Sequence, residues 1–209
     1  MMLRLLFCVA ALLATAQGCG LAVIGAGGTA AISTAFERRT TSAIYTDESM
    51  ALTIGNRISE RFGSLTHVNV APYNRVVLLT GEAPDAATRA AIEADVRDIA
   101  NVRGVVNEIR IAPPSSLADR TNDSLITTRV KTRFLDANKF NPVHVKVVTE
   151  AGVVYLLGIV TEQEANDAVE IARTTGGVIK VVKMFSYCQP TEELCRPTPR
   201  PTAPANPGA

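Results

Sequence analysis

A chain of 209 residues with 47% hydrophobic and 20% charged side chains has the composition of a folded protein, which excludes disorder along its whole length. Lys+Arg 21 against Asp+Glu 20 leaves no basic excess, so the charge gives no support for a nucleic-acid partner. The length suits one medium domain or two small ones, and the arrangement of the residues decides between them.

At the N-terminus, Met1-Met2-Leu3-Arg4 supplies a single positive charge, an apolar run from Leu5 to Ala16 comes next, and Gln17-Gly18-Cys19 closes it. A charged start, an apolar stretch of secretory length and a small-residue cleavage zone predict a signal peptide over 1–18. The cysteine at the cleavage point resembles the lipobox of bacterial lipoproteins, which implies that Cys19 is acylated and becomes the first residue. Ala16 and Gln17 depart from the commonest form of that motif, whereas Gly18 and Cys19 keep to it. The competing readings are an uncleaved membrane anchor and a plain signal peptide. Gly18, Gly20, Gly25, Gly27 and Gly28 make a poor helix interior and count against the anchor. Each buried CH₂ of an acyl chain contributes about 0.8 kcal/mol, so two or three chains hold a protein durably on a bilayer. No aspartate comes after Cys19, which by the same resemblance favours the outer membrane.

The stretch 19–46 is rich in Gly, Ala, Ser and Thr, with Arg38-Arg39 as its one charge cluster, and reads as a flexible spacer. Gly25-Ala26-Gly27-Gly28 is preceded by no strand and closed by no Lys-Ser/Thr pair, so it is not read as a phosphate loop.

An internal repeat organises the chain beyond the spacer. Val68-Asn69-Val70 and Val76 to Gly81 in the first copy match Val145-Lys146-Val147 and Val153 to Gly158 in the second, both displaced by 77 positions (145 − 68 and 158 − 81). Each pair of strands is joined by a short turn, at Tyr73-Asn74-Arg75 or Glu150-Ala151-Gly152, and predicts a β-hairpin. Ahead of each hairpin, Ile54, Ile58 and Phe62, or Ile126, Val130 and Phe134, recur with helical spacing. After it, Asp85 or Thr161 can start a second helix, with Ala91, Ile92, Val96 and Ile99, or Ala165, Ala168, Val169 and Ala172, on its apolar face. Final strands are expected over Val105 to Ile111 and Val178 to Phe185.

The expectation is an α+β protein of two tandem α-β-β-α-β units, each a three-stranded sheet with both helices on one face. Units of this size are marginal alone, so the two should pack on each other. The first domain is placed at 47–112, a Pro-Pro-Ser-Ser linker at 113–121, the second domain at 122–187, and a Pro-rich disordered tail at 188–209. Cys188 and Cys195 are a candidate disulfide in an exported protein, and the sequence alone leaves joined and free cysteines open. Glu192 and Glu193 are the only other donors near them, too few for a metal site.

No nucleophile has a base and an orienting acid beside it, so no catalytic residue, cofactor or metal is expected. His67 and His144 each precede a Val-x-Val strand and read as surface or loop residues, while Glu48, Glu60, Glu93 and Glu164 read as parts of solvated helical faces. The helix from about Leu125 to Leu135 is different. It carries Arg129, Lys131 and Arg133 with no acid, Lys139 comes shortly after, and Leu125 lies one turn before Arg129 on the same face. Such a helix can lie on an anionic bilayer, each cation contributing about 1 kcal/mol near the surface. Ordinary solvation of an outer face is the competing reading, with Asp123 and Asp136 diluting the field. The first copy's helix balances Arg57 and Arg61 with Glu48 and Glu60.

Paired α-β-β-α-β units with these strands resemble BON domains, and two of them behind Gln17-Gly18-Cys19 resemble the dual-BON-domain lipoproteins of the outer membrane. The resemblance runs through Asn69-Val70 to Pro84, Asn122 to Thr128 and Val145 to Ala165, and extends to about Phe185. It implies a lipid-anchored protein on the periplasmic face of the outer membrane that supports envelope integrity. It further implies that the second domain binds anionic phospholipid at the membrane surface, with outer-membrane assembly or division-site proteins as candidate partners. The implied contact set is Leu125, Thr128, Arg129, Lys131, Thr132, Arg133 and Lys139. Where this chain has Leu125, relatives can carry tryptophan, so its hold on the interfacial zone is expected to differ. The alternative function is a protein-interaction adaptor for assembly or cell-wall-remodelling machinery.

Overall fold

The computed structural model describes residues 37–195, so Cys19, the signal peptide and most of the spacer lie outside the described residues, as does the tail from Arg196. In chain order the elements are α1 (Thr41–Phe62), β1 (His67–Tyr73), β2 (Val76–Ala83), α2 (Ala86–Arg97), β3 (Gly104–Asn107), β4 (Arg110–Ile111), α3 (Leu117–Ala137), β5 (Val145–Glu150), β6 (Val153–Val160), α4 (Glu162–Arg173) and β7 (Lys180–Tyr187). Each repeat is α-β-β-α-β. Its first two strands pair antiparallel and its last strand joins the central one in parallel, giving the orders β1-β2-β3, with β4 continuing along β2, and β5-β6-β7.

Both faces of the central strands are buried, so β6 is apolar along its length and β2 is apolar as far as Leu79, before the buried Thr80 and Glu82. Val77, Leu79 and Ala83 of β2 face Met50, Ile54 and Ile58 of α1 and Ile92 and Val96 of α2. Val154, Leu156 and Val160 of β6 face Ile126, Val130 and Phe134 of α3 and Ala165, Ala168 and Ile171 of α4. The intervening residues point the other way into a third core, where Ala71, Tyr73 and Leu78 of the first repeat meet Tyr155, Leu157 and Ile159 of the second. The two sheets therefore stack back to back, with the helices on the outside. Each such side chain contributes roughly 1.5–3 kcal/mol on burial, so the backs of the sheets could not be left in water without large loss.

Both hairpins turn through two left-handed residues, Asn74 and Arg75 (φ 49° and 67°) and Ala151 and Gly152 (φ 49° and 73°). A buried aspartate of the first helix supports each turn. Asp47 accepts the N–H groups of Asn74 and Arg75 at 2.7 and 2.8 Å, and Asp123 accepts those of Ala151 and Gly152 at 2.7 and 2.8 Å. Hydrogen bonds to a charged acceptor, about 1.5–3 kcal/mol each, offset the cost of the left-handed conformation. The aspartates also give the true alignment of the helices. Met50, Ile54 and Ile58 correspond to Ile126, Val130 and Phe134, one turn away from the match suggested by periodicity alone.

Several boundaries differ from the sequence expectation. The spacer expected through 46 gives way earlier: α1 begins at Thr41, with the Thr40 hydroxyl accepting the N–H of Ala43. Arg38 and Arg39 are built into the fold. Arg39 pairs with Glu37 and Asp47 and lies 4.3 Å over the Tyr73 ring. Helix α3 starts inside the expected linker at Leu117, because Ser116 and Asp119 form a reciprocal capping box. The last strand of the first repeat breaks at Glu108-Ile109, where Ile109 turns into the core and its N–H bonds the Asn107 side chain. The expected tail does not begin at 188. Cys188 N–H donates to the Val160 carbonyl, Cys188 is disulfide-bonded to Cys195, and both sulfurs close one end of the inter-sheet core. A loop this short contributes about 2–3 kcal/mol through the unfolded chain.

The repeats are also cross-linked by polar contacts. Asn69 and Thr80 donate to Glu150, Lys146 donates to the Pro72 carbonyl, and Ile159 N–H donates to the Tyr73 hydroxyl. Burial pushes the Tyr73 hydroxyl up to about 12, so it stays a neutral acceptor. At the far edge, Arg38 donates to the Ile159 carbonyl and holds Glu164 through Nη1 and Nη2, while His144 Nδ1 lies 3.3 Å from the same carboxylate. Glu164 is thus no part of a solvated face, and His144, 4% exposed, is no surface histidine. Burial alone would raise the Glu164 carboxyl. Hydrogen bonds from His144, Arg38 and the Thr161 N–H outweigh it and hold the group well below the usual carboxylate range.

Glycine stands two residues before the end of the central strand in each hairpin because the carbonyl of the histidine at or just before the start of the partner strand occupies the place of a side chain. A Cβ on Gly81 (φ +109°) would stand 2.0 Å from the His67 oxygen, and one on Gly158 2.5 Å from the His144 oxygen. Gly81→Ala should therefore cost about 2–3 kcal/mol in urea unfolding, while Gly55→Ala, in open helix, should stabilise by up to about 1 kcal/mol; equal effects would refute the packing argument. A second prediction concerns acid. Because the Glu164 pKa is depressed on folding, its contribution is complete above the unfolded value of 4.5 and is lost as pH falls towards the folded one. Glu164→Gln should lower stability by about 1–3 kcal/mol at pH 7. The difference from wild type, measured by melting temperature, should shrink steadily below pH 4.5.

Candidate functional surface

Helix α3 buries Asp123, Ile126, Val130 and Phe134, which fixes the side that faces outward. At 100° per residue the opposite side carries Leu117, Thr121, Leu125, Thr128, Thr132 and Leu135, with Lys131 and Arg129 on its two flanks. Leu117 is 80% exposed, Leu125 50% and Leu135 65%, so the first repeat does not cover this face. Its threonine hydroxyls are largely self-satisfied: Thr121 and Thr128 donate to carbonyls four residues back, at Leu117 and Ser124. The result is a strip of leucines and methyl groups with little demand for water, bordered by cations.

The cations expected to act together divide into two kinds. Among the described residues, Arg129 and Lys131 make no ion pair, and Arg129 has only a long 3.4 Å contact to the Gly176 carbonyl. Arg133 is committed to the C-terminus of α4, donating to Ile171 O and to the hydroxyls of Thr174 and Thr175 at 2.9, 3.0 and 2.9 Å. There it satisfies a helix-end carbonyl and cannot leave without cost. Lys139 pairs with Asp167 at 2.9 Å. Asp123 does not dilute the surface field as expected, since its carboxylate is buried under the hairpin turn.

The turn after α4 lies beside this helix. Gly177 adopts φ +96°, and a Cβ there would meet Ile126 at 3.0 Å. Two residues on, Ile179 has its N–H on the Gly152 carbonyl and its side chain 79% exposed. Ile179, Leu117 and Leu135 were absent from the sequence-based set. The two leucines had a legible signal, the same 100° periodicity carried to the last residue of the expected helix at Leu135 and back past its start to Leu117. Ile179 had none, because only the tight turn through Gly177 aims it outward.

The equivalent helix α1 presents Tyr45 and Leu52, 80% and 71% exposed, but its cations are tied down. Arg61 pairs with Asp95, and Arg57 reaches the Asp95 carbonyl. Among the described residues no helix is long and apolar enough to cross a membrane.

Comparison with known proteins finds one family matched by both repeats. The family model described as the BON domain matches residues 47–113 and again 122–189. The outer membrane lipoprotein DolP of Haemophilus influenzae is 36% identical over 173 residues, spanning 82% of this chain and 89% of that one. A 21 kDa hemolysin of Actinobacillus pleuropneumoniae is 38% identical over 125 residues, or 58% of this chain and 63% of the other. Among solved structures, CdsD, a structural protein of the type III secretion system of Chlamydia trachomatis, covers 65% of this chain and 91% of its own at 12% identity and a TM-score of 0.27. With both repeats matched in order and the relatedness extending across most of its length, the chain belongs to the BON-domain family and is a dual-BON, DolP-like protein.

Proposed function

We propose that this protein is an outer-membrane lipoprotein, anchored through Cys19 on the periplasmic side, whose second BON domain lays the outer face of α3 on anionic phospholipid and thereby supports envelope integrity. The observation that carries the reading is the exposed strip of Leu117, Leu125 and Leu135, flanked by Arg129 and Lys131, which make no ion pair among the described residues. Leucines of this kind enter the boundary between headgroups and acyl chains, and the cations meet phosphate from either side. Thr128 and Thr132 lie between them as small contacts, and Ile179 extends the apolar area across the neighbouring turn. Arg133 and Lys139 serve by holding the helix against α4 and are not the principal headgroup contacts. Two cations at about 1 kcal/mol each give weak binding, which suits a surface kept close to the bilayer by an acyl anchor.

The reading is of a binding module and not an enzyme. A protein-adaptor role is the second reading, favoured by Tyr45 and Leu52 on α1, a comparable apolar exposure without free cations. Assembly or division-site proteins of the envelope are the partners it would suit.

A soluble fragment beginning at Gly20, which keeps the structural Arg38 and Arg39, separates the two readings by vesicle sedimentation. Wild type should bind vesicles containing anionic lipid, weakly and less so as salt rises, and should not bind neutral ones. The double variant Arg129→Glu, Lys131→Glu should lose at least about tenfold in affinity, and Leu125→Asp should lose a comparable amount, with folding unchanged by circular dichroism. Binding that ignores salt and both variants would reject the α3 contact.

A further inference from the structure

The stacking of the repeats brings together three side chains far apart in sequence. His67, at the start of β1, Glu82, near the end of β2, and Glu150, at the end of β5, each present one ligand atom, and these atoms lie within 4.8 Å of one another. Both carboxylates are nearly fully buried, at 1% and 4% exposure, and Glu150 belongs to the other repeat. We propose that His67, Glu82 and Glu150 form a divalent-cation site that bridges the two BON domains.

Three observations carry the inference beyond proximity. First, His67 Nδ1 and Glu82 Oε2 stand 3.1 Å apart. Ligands about 2.1 Å from one ion, at octahedral to tetrahedral angles, are separated by roughly 3.0–3.4 Å. Second, the carboxylates are oriented from behind, as metal ligands usually are. Asn69 and Thr80 both donate to Oε2 of Glu150, which leaves Oε1 available, and Arg110 holds Oε1 of Glu82 while Ser115 N–H supports Oε2. Third, there is a way in. Glu82 and Glu150 line a cavity of about 530 Å³ together with Arg110, Pro113 and Pro114.

Charge points the same way. Two buried carboxylates share one guanidinium, that of Arg110, and a divalent ion held by the neutral His67 imidazole would compensate the second. One imidazole and two carboxylates suit Zn²⁺ or Mn²⁺, with water completing the shell, and give too few oxygens for Ca²⁺. Bound there, the ion would tie β1 and β2 of the first repeat to β5 of the second, beside the turn that Asp123 supports.

The test uses the full chain purified in detergent, with Zn²⁺ and Co²⁺ as probes. Calorimetry should give one ion per chain, Zn²⁺ should raise the melting temperature, and Co²⁺ should develop visible ligand-field bands. Glu150→Gln, which can still accept from Asn69 and Thr80, and His67→Gln should each weaken binding at least tenfold, whereas His144→Gln should not. Because the chain has only two histidines, a reading free of variants is also available: Co²⁺ should shift the ring protons of His67 far more than those of His144. Failure of the wild type to bind one ion, wild-type affinity in the folded variants, or equal shifts at the two rings would overturn the site. None of these outcomes bears on the α3 surface, which is read with vesicles in the absence of metal.

Discussion

A three-stranded sheet with both helices on one side leaves an apolar back, and each repeat in this chain covers the back of the other. The core built from Leu78, Tyr73, Tyr155, Leu157 and Ile159 is the constraint that shapes everything around it. It requires the sheets to stack and the four helices to lie outermost. It buries any polar side chain pointing inward at the sheet edges. Glu150 and Thr80 are buried there and hydrogen-bond each other across the junction, as buried polar groups must, while the half-buried Lys146 and the exposed Asn69 reach across it from the rim. The same stacking turns the outer faces of α1 and α3 to solvent. The apolar strip on α3 is thus exposed as a consequence of where the hydrophobic core formed.

Much of this was legible in the sequence because two periodicities and a fixed displacement coincide. Alternation in β1 and β5, continuous apolar runs in β2 and β6, and caps at Asp85 and Thr161 suffice for the order of elements. The run Val76 to Leu79 also signals burial on both sides, and hence packing between the copies. Features that depend on tertiary placement were not legible. Asp47 and Asp123 look like ordinary helical acids until a turn is seen against them. Arg38 reads as spacer because its partners, Ile159 O and Glu164, lie more than 120 residues away. Arg133 counts as a surface cation in any helical projection, since only the position of α4 reveals the carbonyl and hydroxyls that occupy it.

Helix alignment shows how periodicity misleads. Isoleucines four apart match at several registers, and a one-turn slip preserves an apolar stripe. A single buried acid breaks the degeneracy, because only one residue can reach both N–H groups of the turn. Polar groups with two simultaneous geometric demands are better markers of register than the hydrophobic residues that supply most of the energy.

The repeats share a scaffold and differ where they meet their surroundings. His67 and His144 occupy equivalent places, 77 residues apart, and their carbonyls make the same close approach to Gly81 and Gly158. Their rings have different company. His144 meets Glu164, which Arg38 holds, so the segment arriving from the N-terminal side is fastened to the second domain before it enters the first. His67 meets Glu82, Arg110 and the linker residue Ser115, where the chain passes from one domain to the next. Each histidine therefore sits where the chain enters or leaves the first repeat, and each crossing is secured by an arginine on a carboxylate, half-buried at Glu164 and buried at Glu82. A tether attached upstream of Arg38 would pull directly on the edge of the second domain that carries Glu164 and α4, the helix that also holds Arg133. Force from such a tether would in this way reach the domain that carries the α3 strip without passing through the inter-sheet core.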